Sequence, residues 1–167
     1  AKQEGGNRVR RVDDRLRERA RTRGLALQEL GLALEHHEIE VRYQPQVSFA
    51  DDAVVGFEAL ARWRHPTRGM VAPGDFIPMA EETGLIVPIG RLILLQSCQQ
   101  AARWPAPVTL AVNISPVELS STGIVATVRD CLERSGLAPH RLQLEVTESA
   151  TVQESARLAL LALSDLG

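Results

Sequence analysis

The chain has 167 residues, of which 44% are hydrophobic, and its formal net charge at pH 7 is −2. This length suits one domain with a hydrophobic core, and no apolar run approaches the ~20 residues that a membrane-spanning helix needs. The slightly negative charge argues against a nucleic-acid polymer as the main partner, because proteins that bind such polymers neutralise phosphates with clustered Lys and Arg. We therefore expect a cytoplasmic location and no membrane contact within this segment, although the parent protein can be tethered through other domains.

Charged residues dominate the start of the chain. Residues 8–23 contain eight arginines interleaved with acids, and Leu27, Leu30 and Leu34 follow at helical spacing. This pattern predicts a helix over about 12–37 that links a preceding domain to the next one. Mixed charge of this kind is typical of a solvated helix face. A structural or dimerisation role for this helix is one alternative function of the chain.

Strand-like and helix-like patterns alternate along the rest of the sequence. The predicted strands cover about 38–47, 54–63, 108–114 and 141–148. The predicted helices cover about 88–104, 123–135 and 152–166, and a long loop with several Pro and Gly residues is expected over about 65–78. Such alternation predicts an α/β fold with mostly parallel strands. A short turn at Asp51-Asp52 makes the first two strands antiparallel.

Oxygen-bearing side chains stand near the C-terminal ends of three predicted strands. Because side chains alternate along a strand, Glu58, Leu60 and Arg62 share one face of the second strand. Asn113 and Glu145 lie on the less apolar faces of the third and fourth strands. In a parallel barrel this face is the interior, and the C-terminal end is where chemistry occurs. Three oxygen donors favour a hard divalent cation, Mg²⁺ or Mn²⁺, over zinc.

Each of these side chains also fits a structural role. Glu58 fits a salt-bridged strand acid, and Arg62 fits an ion pair with Glu58 or Glu145. Asn113 fits a strand-end cap whose amide satisfies backbone groups of the following loop. The four histidines lack the spacing of metal ligands, and we expect them on the surface or in loops. The residues alone leave these alternatives open.

Six short segments, in order along the chain, together resemble the EAL domain family. They are Tyr43-Gln-Pro45, Glu58-Ala-Leu60 followed by Arg62-Trp63, Pro73 to Phe76, Ala80-Glu-Glu-Thr-Gly84, Val112-Asn-Ile-Ser-Pro116 and Leu144-Glu-Val-Thr-Glu148. The resemblance implies a partial TIM-like (β/α) barrel with one antiparallel strand, truncated after about four strands. Because residues 1–11 resemble the tail of a GGDEF domain, the implied organisation is a tail over 1–11, a linker helix over 12–26 and the N-terminal part of an EAL domain over 27–167.

The resemblance also implies a function in bacterial second-messenger signalling. EAL domains hydrolyse cyclic di-GMP to linear pGpG with two Mg²⁺ or Mn²⁺ ions. Carried over to this sequence, the family's metal ligands are Glu58, Asn113 and Glu145, and its substrate contacts are Gln44, Leu60 against a guanine, and Arg62 at a phosphate. Glu148 matches the glutamate that anchors a later loop, and it fits equally well an acid favoured by a helix N-terminus. The rival function is a receptor that binds cyclic di-GMP without cleaving it.

The implied barrel is larger than this chain, since a complete (β/α) barrel takes about 250 residues. The family's later metal and base residues have no counterpart here, so we predict no steady-state hydrolysis of cyclic di-GMP by the purified 167-residue chain. Open strand edges predict a homodimer or a swapped oligomer, which light scattering measures. Turnover by the isolated chain would contradict the first expectation, and a monomeric mass would contradict the second.

Overall fold

The computed structural model of the protein describes residues 24, 27–147 and 154–167. Most of the predicted linker helix lies outside these residues, as does Glu148 at the end of the last predicted strand, and that strand itself ends at Glu145. The first described helix, α1, covers residues 27–35, as the leucine spacing predicted. Within the described ranges, no helix combines the length and apolarity needed to cross a membrane.

A five-stranded sheet forms the centre of the described chain. Its strands are β1 (Ile39–Val47), β2 (Val54–His65), β3 (Gly69–Val71), β4 (Thr109–Asn113) and β5 (Leu142–Glu145). The strand order is β1-β2-β4-β5, and β3 pairs with the C-terminal end of β2. β1 and β3 run antiparallel to β2, whereas β2, β4 and β5 are parallel. The prediction of a mostly parallel α/β fold with a reversed first strand is confirmed.

Helices fill the connections between these strands. They are α2 (Pro73–Thr83), α3 (Ile86–Ala101), α4 (Pro116–Leu119), α5 (Ile124–Ser135) and α6 (Glu154–Ser164), with a 3₁₀ turn over Pro139–Arg141. The prediction of a loop over 65–78 was wrong, because this region contains β3 and the start of α2. Pro73 occupies the first turn of α2, where its missing N–H removes no helical hydrogen bond. Pro78 lies inside the helix, so tertiary packing outweighs the local preference against it.

One face of β2 packs against the helices and builds the core. Trp63 is buried and makes an edge contact with Phe76 of α2, with ring centroids 6.0 Å apart. His65 lies on the same face and is buried rather than exposed, contrary to the expectation for the histidines. Its Nδ1 accepts backbone N–H groups of Thr67 and Arg68, and its Nε2 is 3.4 Å from Glu29 of α1. The opposite face of β2 carries Glu58 and is available for a functional site.

Arg141 joins the helical layer to the sheet. Its Nη2 donates to the carbonyl of Ala101 at 3.0 Å, and its Nε donates to the carbonyl of Val108 at 2.9 Å. The end of α3 has unsatisfied carbonyls that such a cation stabilises. This buried contact ties the end of α3 and the entry of β4 to the entry of β5, and so supports the strands that carry Asn113 and Glu145.

Gly56 allows β2 to approach β4 closely, which generates a stability prediction. A Cβ at this position would lie 2.5 Å from Oγ1 of Thr109 and 2.8 Å from Oε1 of Gln46. We expect Gly56→Ala to lower the free energy of unfolding by about 1–3 kcal/mol through overpacking. Urea denaturation followed by circular dichroism measures the change.

Gly31 provides the matched control, because it is helical and a Cβ there would meet nothing within 4 Å. Gly31→Ala is expected to raise the free energy of unfolding by roughly 0.5–1 kcal/mol. Equal effects of the two substitutions would show that β2 and β4 can accommodate a Cβ at Gly56 without overpacking.

Candidate functional site

Glu58 and Asn113 meet at the C-terminal side of the sheet. In the parallel register of β2 and β4, Glu58 lies opposite Ala111, and Asn113 follows two residues later on the same face. Asn113 Nδ2 donates a hydrogen bond to Glu58 Oε1 at 2.7 Å. Two parallel strands thus bring together side chains that are 55 residues apart in the sequence.

Glu145 extends this pair to a third strand. It is the cross-strand neighbour of Asn113 in the parallel pairing of β4 with β5. The backbone carbonyl of Glu145 also accepts the N–H of Ile114 at 2.8 Å, which continues the pairing past the end of β4. Glu58, Asn113 and Glu145 therefore occupy successive strands at one end of the sheet, and we call them the oxygen cluster.

The remaining sequence-predicted residues surround the oxygen cluster on β1 and β2. Gln44 lies directly opposite Glu58 in the antiparallel register, and Arg62 lies opposite Glu40. Arg62 Nη1 donates to the carbonyl of Ala61 at 2.8 Å. In the described ranges no ion pair joins Arg62 to Glu58 or Glu145, so the structural alternative for this arginine has no support there. Glu148 lies outside the described residues, and its anchoring role stays a prediction.

A cavity of about 280 Å³ opens beside the oxygen cluster, between the strand ends and helices α2 and α3. On the sheet side its lining combines Leu60, Asn113 and Glu145 with core-facing residues such as Ala59 and Val112, and it does not include Glu58, Gln44 or Arg62. Ile77, Ile86 and Ile93 contribute apolar surface on the helix side. Apolar walls with a few polar groups at one end are typical of a small-molecule site.

A buried acid behind the oxygen cluster was not identified from the sequence. Glu118 is 5% exposed, and its Oε2 accepts the backbone N–H of Ser115 at 3.0 Å. Ser115 Oγ in turn accepts the N–H of Glu118, which completes a capping box at the start of α4. Burial raises the pKa of the Glu118 carboxyl, the hydrogen bonds with Ser115 oppose this shift, and the charge of Glu81 adds to it.

Glu118 also fixes the distance between α4 and α3. A Cβ on Gly90 would overlap the Glu118 carboxylate, so the glycine provides the space for the acid. The turn that follows Asn113 is therefore held against α3. The signal that could have revealed this residue is the Ser-x-x-Glu spacing of Ser115 and Glu118 directly after a strand.

The oxygen cluster fits a hard divalent cation by its chemistry. It offers two carboxylates and one amide, and rotation of the Asn113 amide by half a turn presents its oxygen in place of its nitrogen. The described residues contain no group of three His, Cys, Asp or Glu that could hold a metal. Oxygen donors without a thiolate or an imidazole are those that hard cations prefer over zinc, so the oxygen cluster is a candidate for part of a cation site.

Comparison with known proteins identifies relatives of this chain. The family model of the EAL domain matches residues 27–167. An uncharacterized signaling protein of Caulobacter vibrioides is 47% identical over 148 residues, covering 89% of this chain and 18% of the relative. The bifunctional diguanylate cyclase/cyclic di-GMP phosphodiesterase MucR of Pseudomonas aeruginosa is 41% identical over 133 residues, covering 77% of this chain and 19% of the relative.

A solved structure supports the same relationship. The structure described as the PaMucR phosphodiesterase in complex with c-di-GMP superposes with a TM-score of 0.82 at 40% identity, covering 86% of this chain and 60% of that one. The chain thus spans less than a fifth of these curated relatives and three fifths of the solved chain. Because the family model matches most of the sequence, the chain belongs to the EAL domain family.

Proposed function

We propose that the intact protein containing this chain is a phosphodiesterase that hydrolyses cyclic di-GMP to linear pGpG. The observation that carries the proposal is the 2.7 Å hydrogen bond between Asn113 and Glu58, with Glu145 next to Asn113 in the strand register. Oxygen donors from three parallel strands at the C-terminal end of a barrel-type sheet suit metal-assisted chemistry. MucR, whose name states this activity, supports the same function.

The residues of this chain would divide the work as follows. Glu58, Asn113 and Glu145 would hold Mg²⁺ or Mn²⁺, and a bound pair of such ions would supply a lowered pKa for a bound water and positive charge at the phosphate. Arg62 orients a phosphate through its planar pair of donors. Gln44 would contact the ligand beside Glu58, and Leu60 would pack against a guanine. No residue of this chain is assigned the role of general base.

The rival function is a receptor that binds cyclic di-GMP without cleaving it. The oxygen cluster favours the enzyme, because a receptor has no need to place two carboxylates and an amide together. Only the enzyme would release linear pGpG, so detection of this product distinguishes the two functions.

The same proposal includes the neighbouring domain, the cellular location and the oligomeric state. We place a GGDEF domain before residue 12, a linker helix over 12–26 and the EAL domain from residue 27. The name of MucR, which joins a diguanylate cyclase to a phosphodiesterase, supports this arrangement. The protein would act in the cytoplasm, and the isolated 167-residue chain would form a homodimer or a swapped oligomer through the open edges of its sheet.

Replacement of Glu58 tests the enzyme against the receptor. Glu58→Gln in the full-length protein keeps an oxygen for the Asn113 hydrogen bond but removes the charge that binds the cation. We expect turnover to fall by more than about 100-fold with an unchanged melting temperature. Chromatographic detection of linear pGpG measures the rate, and Glu133→Gln, at an exposed acid on α5, is the control. Full activity of the Glu58 variant would overturn the proposal.

Replacement of Asn113 tests the donor set itself. Asn113→Ala removes one ligand and the hydrogen bond that orients Glu58, so cation binding should weaken. We expect the Mn²⁺ concentration that gives half-maximal rate to rise about 10-fold or more. Titration of the chelator-treated protein with Mn²⁺ measures this value, and calorimetry of Mn²⁺ binding measures it independently of activity. An unchanged Mn²⁺ requirement would remove Asn113 from the ligand set.

A further inference from the structure

The pairing of β1 with β2 creates a ladder of six side chains on the face of the site. Its three rungs are Gln44 with Glu58, Arg42 with Leu60, and Glu40 with Arg62. Under the proposed function, Gln44, Glu58, Leu60 and Arg62 all contact the ligand or its cations. Arg42 stands on the middle rung between these four residues, and no role has been given to it.

The guanidinium of Arg42 is positioned but not held tightly. Its Nη2 lies 3.5 Å from Glu40 Oε1, and the Arg42 side chain is 63% exposed. Arg64 Nε lies 3.9 Å from the same oxygen, so Glu40 shares its charge between two arginines. Exposed pairs of this length contribute little to stability, so a ligand can take over Arg42 at small cost.

We propose that Arg42 binds the N7 and O6 edge of the guanine that packs against Leu60, and so selects guanine in the ligand. This inference rests on the proposed function, because it takes cyclic di-GMP as the ligand. A guanidinium offers two parallel N–H donors, and guanine offers two adjacent acceptors at N7 and O6. Adenine places an amino group where guanine has O6, which leaves one donor of Arg42 unpaired.

The position of Arg42 favours the base over a phosphate. Arg62 is the arginine of the next rung, and the proposed function already assigns it to a phosphate. Arg42 faces Leu60 instead, and an apolar leucine side chain can pack against a base but offers no polar contact to a phosphate. The two arginines would therefore bind chemically different parts of the same ligand.

A thermodynamic cycle tests this contact by removing Arg42 from the protein, N7 from the base, or both, and comparing the binding constants. The binding constant of the full-length protein is measured by calorimetry in EDTA, so that no turnover occurs, with cyclic di-GMP and with an analogue carrying 7-deazaguanine in both nucleotides. We expect Arg42→Ala to weaken binding of cyclic di-GMP about 10- to 100-fold. The analogue should bind the unaltered protein several-fold more weakly than cyclic di-GMP does. The Arg42→Ala variant should bind the two ligands equally.

Two further variants make the cycle specific. Arg42→Lys keeps the charge but loses the paired donors, so it should recover only part of the affinity. Arg103→Ala removes an exposed arginine just after α3 and should leave both binding constants unchanged. Because the Arg42 side chain is mostly exposed, its replacement should not shift the melting temperature.

The outcomes separate the inference from the function on which it rests. If the unaltered protein does not bind cyclic di-GMP in EDTA and also releases no linear pGpG when Mn²⁺ is supplied, the proposed function fails. If it binds but Arg42→Ala has the affinity of the Arg103 control, the inference alone is overturned. A loss of affinity that is equal for cyclic di-GMP and its 7-deaza analogue would assign Arg42 to a phosphate and would also overturn base recognition.

Discussion

The parallel pairing of β2, β4 and β5 is the constraint on which the rest of this structure depends. Parallel strands present their C-terminal ends at one edge of the sheet, so residues distant in sequence meet there without any local signal. The register then selects which side chains meet. It places Asn113 two residues beyond the position opposite Glu58, and directly opposite Glu145. A shift of one residue in either pairing would turn these side chains toward the core.

The two faces of β2 show how stability and function are kept apart. Trp63 and Ala59 are buried under the helices, and their burial supplies the hydrophobic free energy that holds the sheet in place. Glu58 and Arg62 occupy the other face, where charge is not forced into the core. Two buried contacts support these strands. Arg141 joins the end of α3 and the start of β4 to the start of β5, and Glu118 caps α4 directly after β4. Polar groups of the site are therefore carried by strands whose ends are held in place by buried contacts.

Much of this could be predicted from the sequence. Alternation along β2 predicted that Glu58, Leu60 and Arg62 share a face, and the short turn predicted the reversed first strand. The prediction failed at α2, because proline was taken as a helix breaker although Pro73 stands where a helix tolerates it. It also failed at His65, whose burial depends on backbone donors and on Glu29 of a distant helix.

The sequence by itself determined the periods of the elements, the residue types of the oxygen cluster and the family resemblance, because these depend on local spacing. Only the tertiary structure decided three contacts. They are the hydrogen bond of Asn113 with Glu58, the close approach of the Glu118 carboxylate to Gly90, and the cross-strand pairing of Arg42 with Leu60. Each of these depends on the register between strands or on the approach of two helices. Such distances are set by the packing of the whole domain, and no pattern within a single element encodes them.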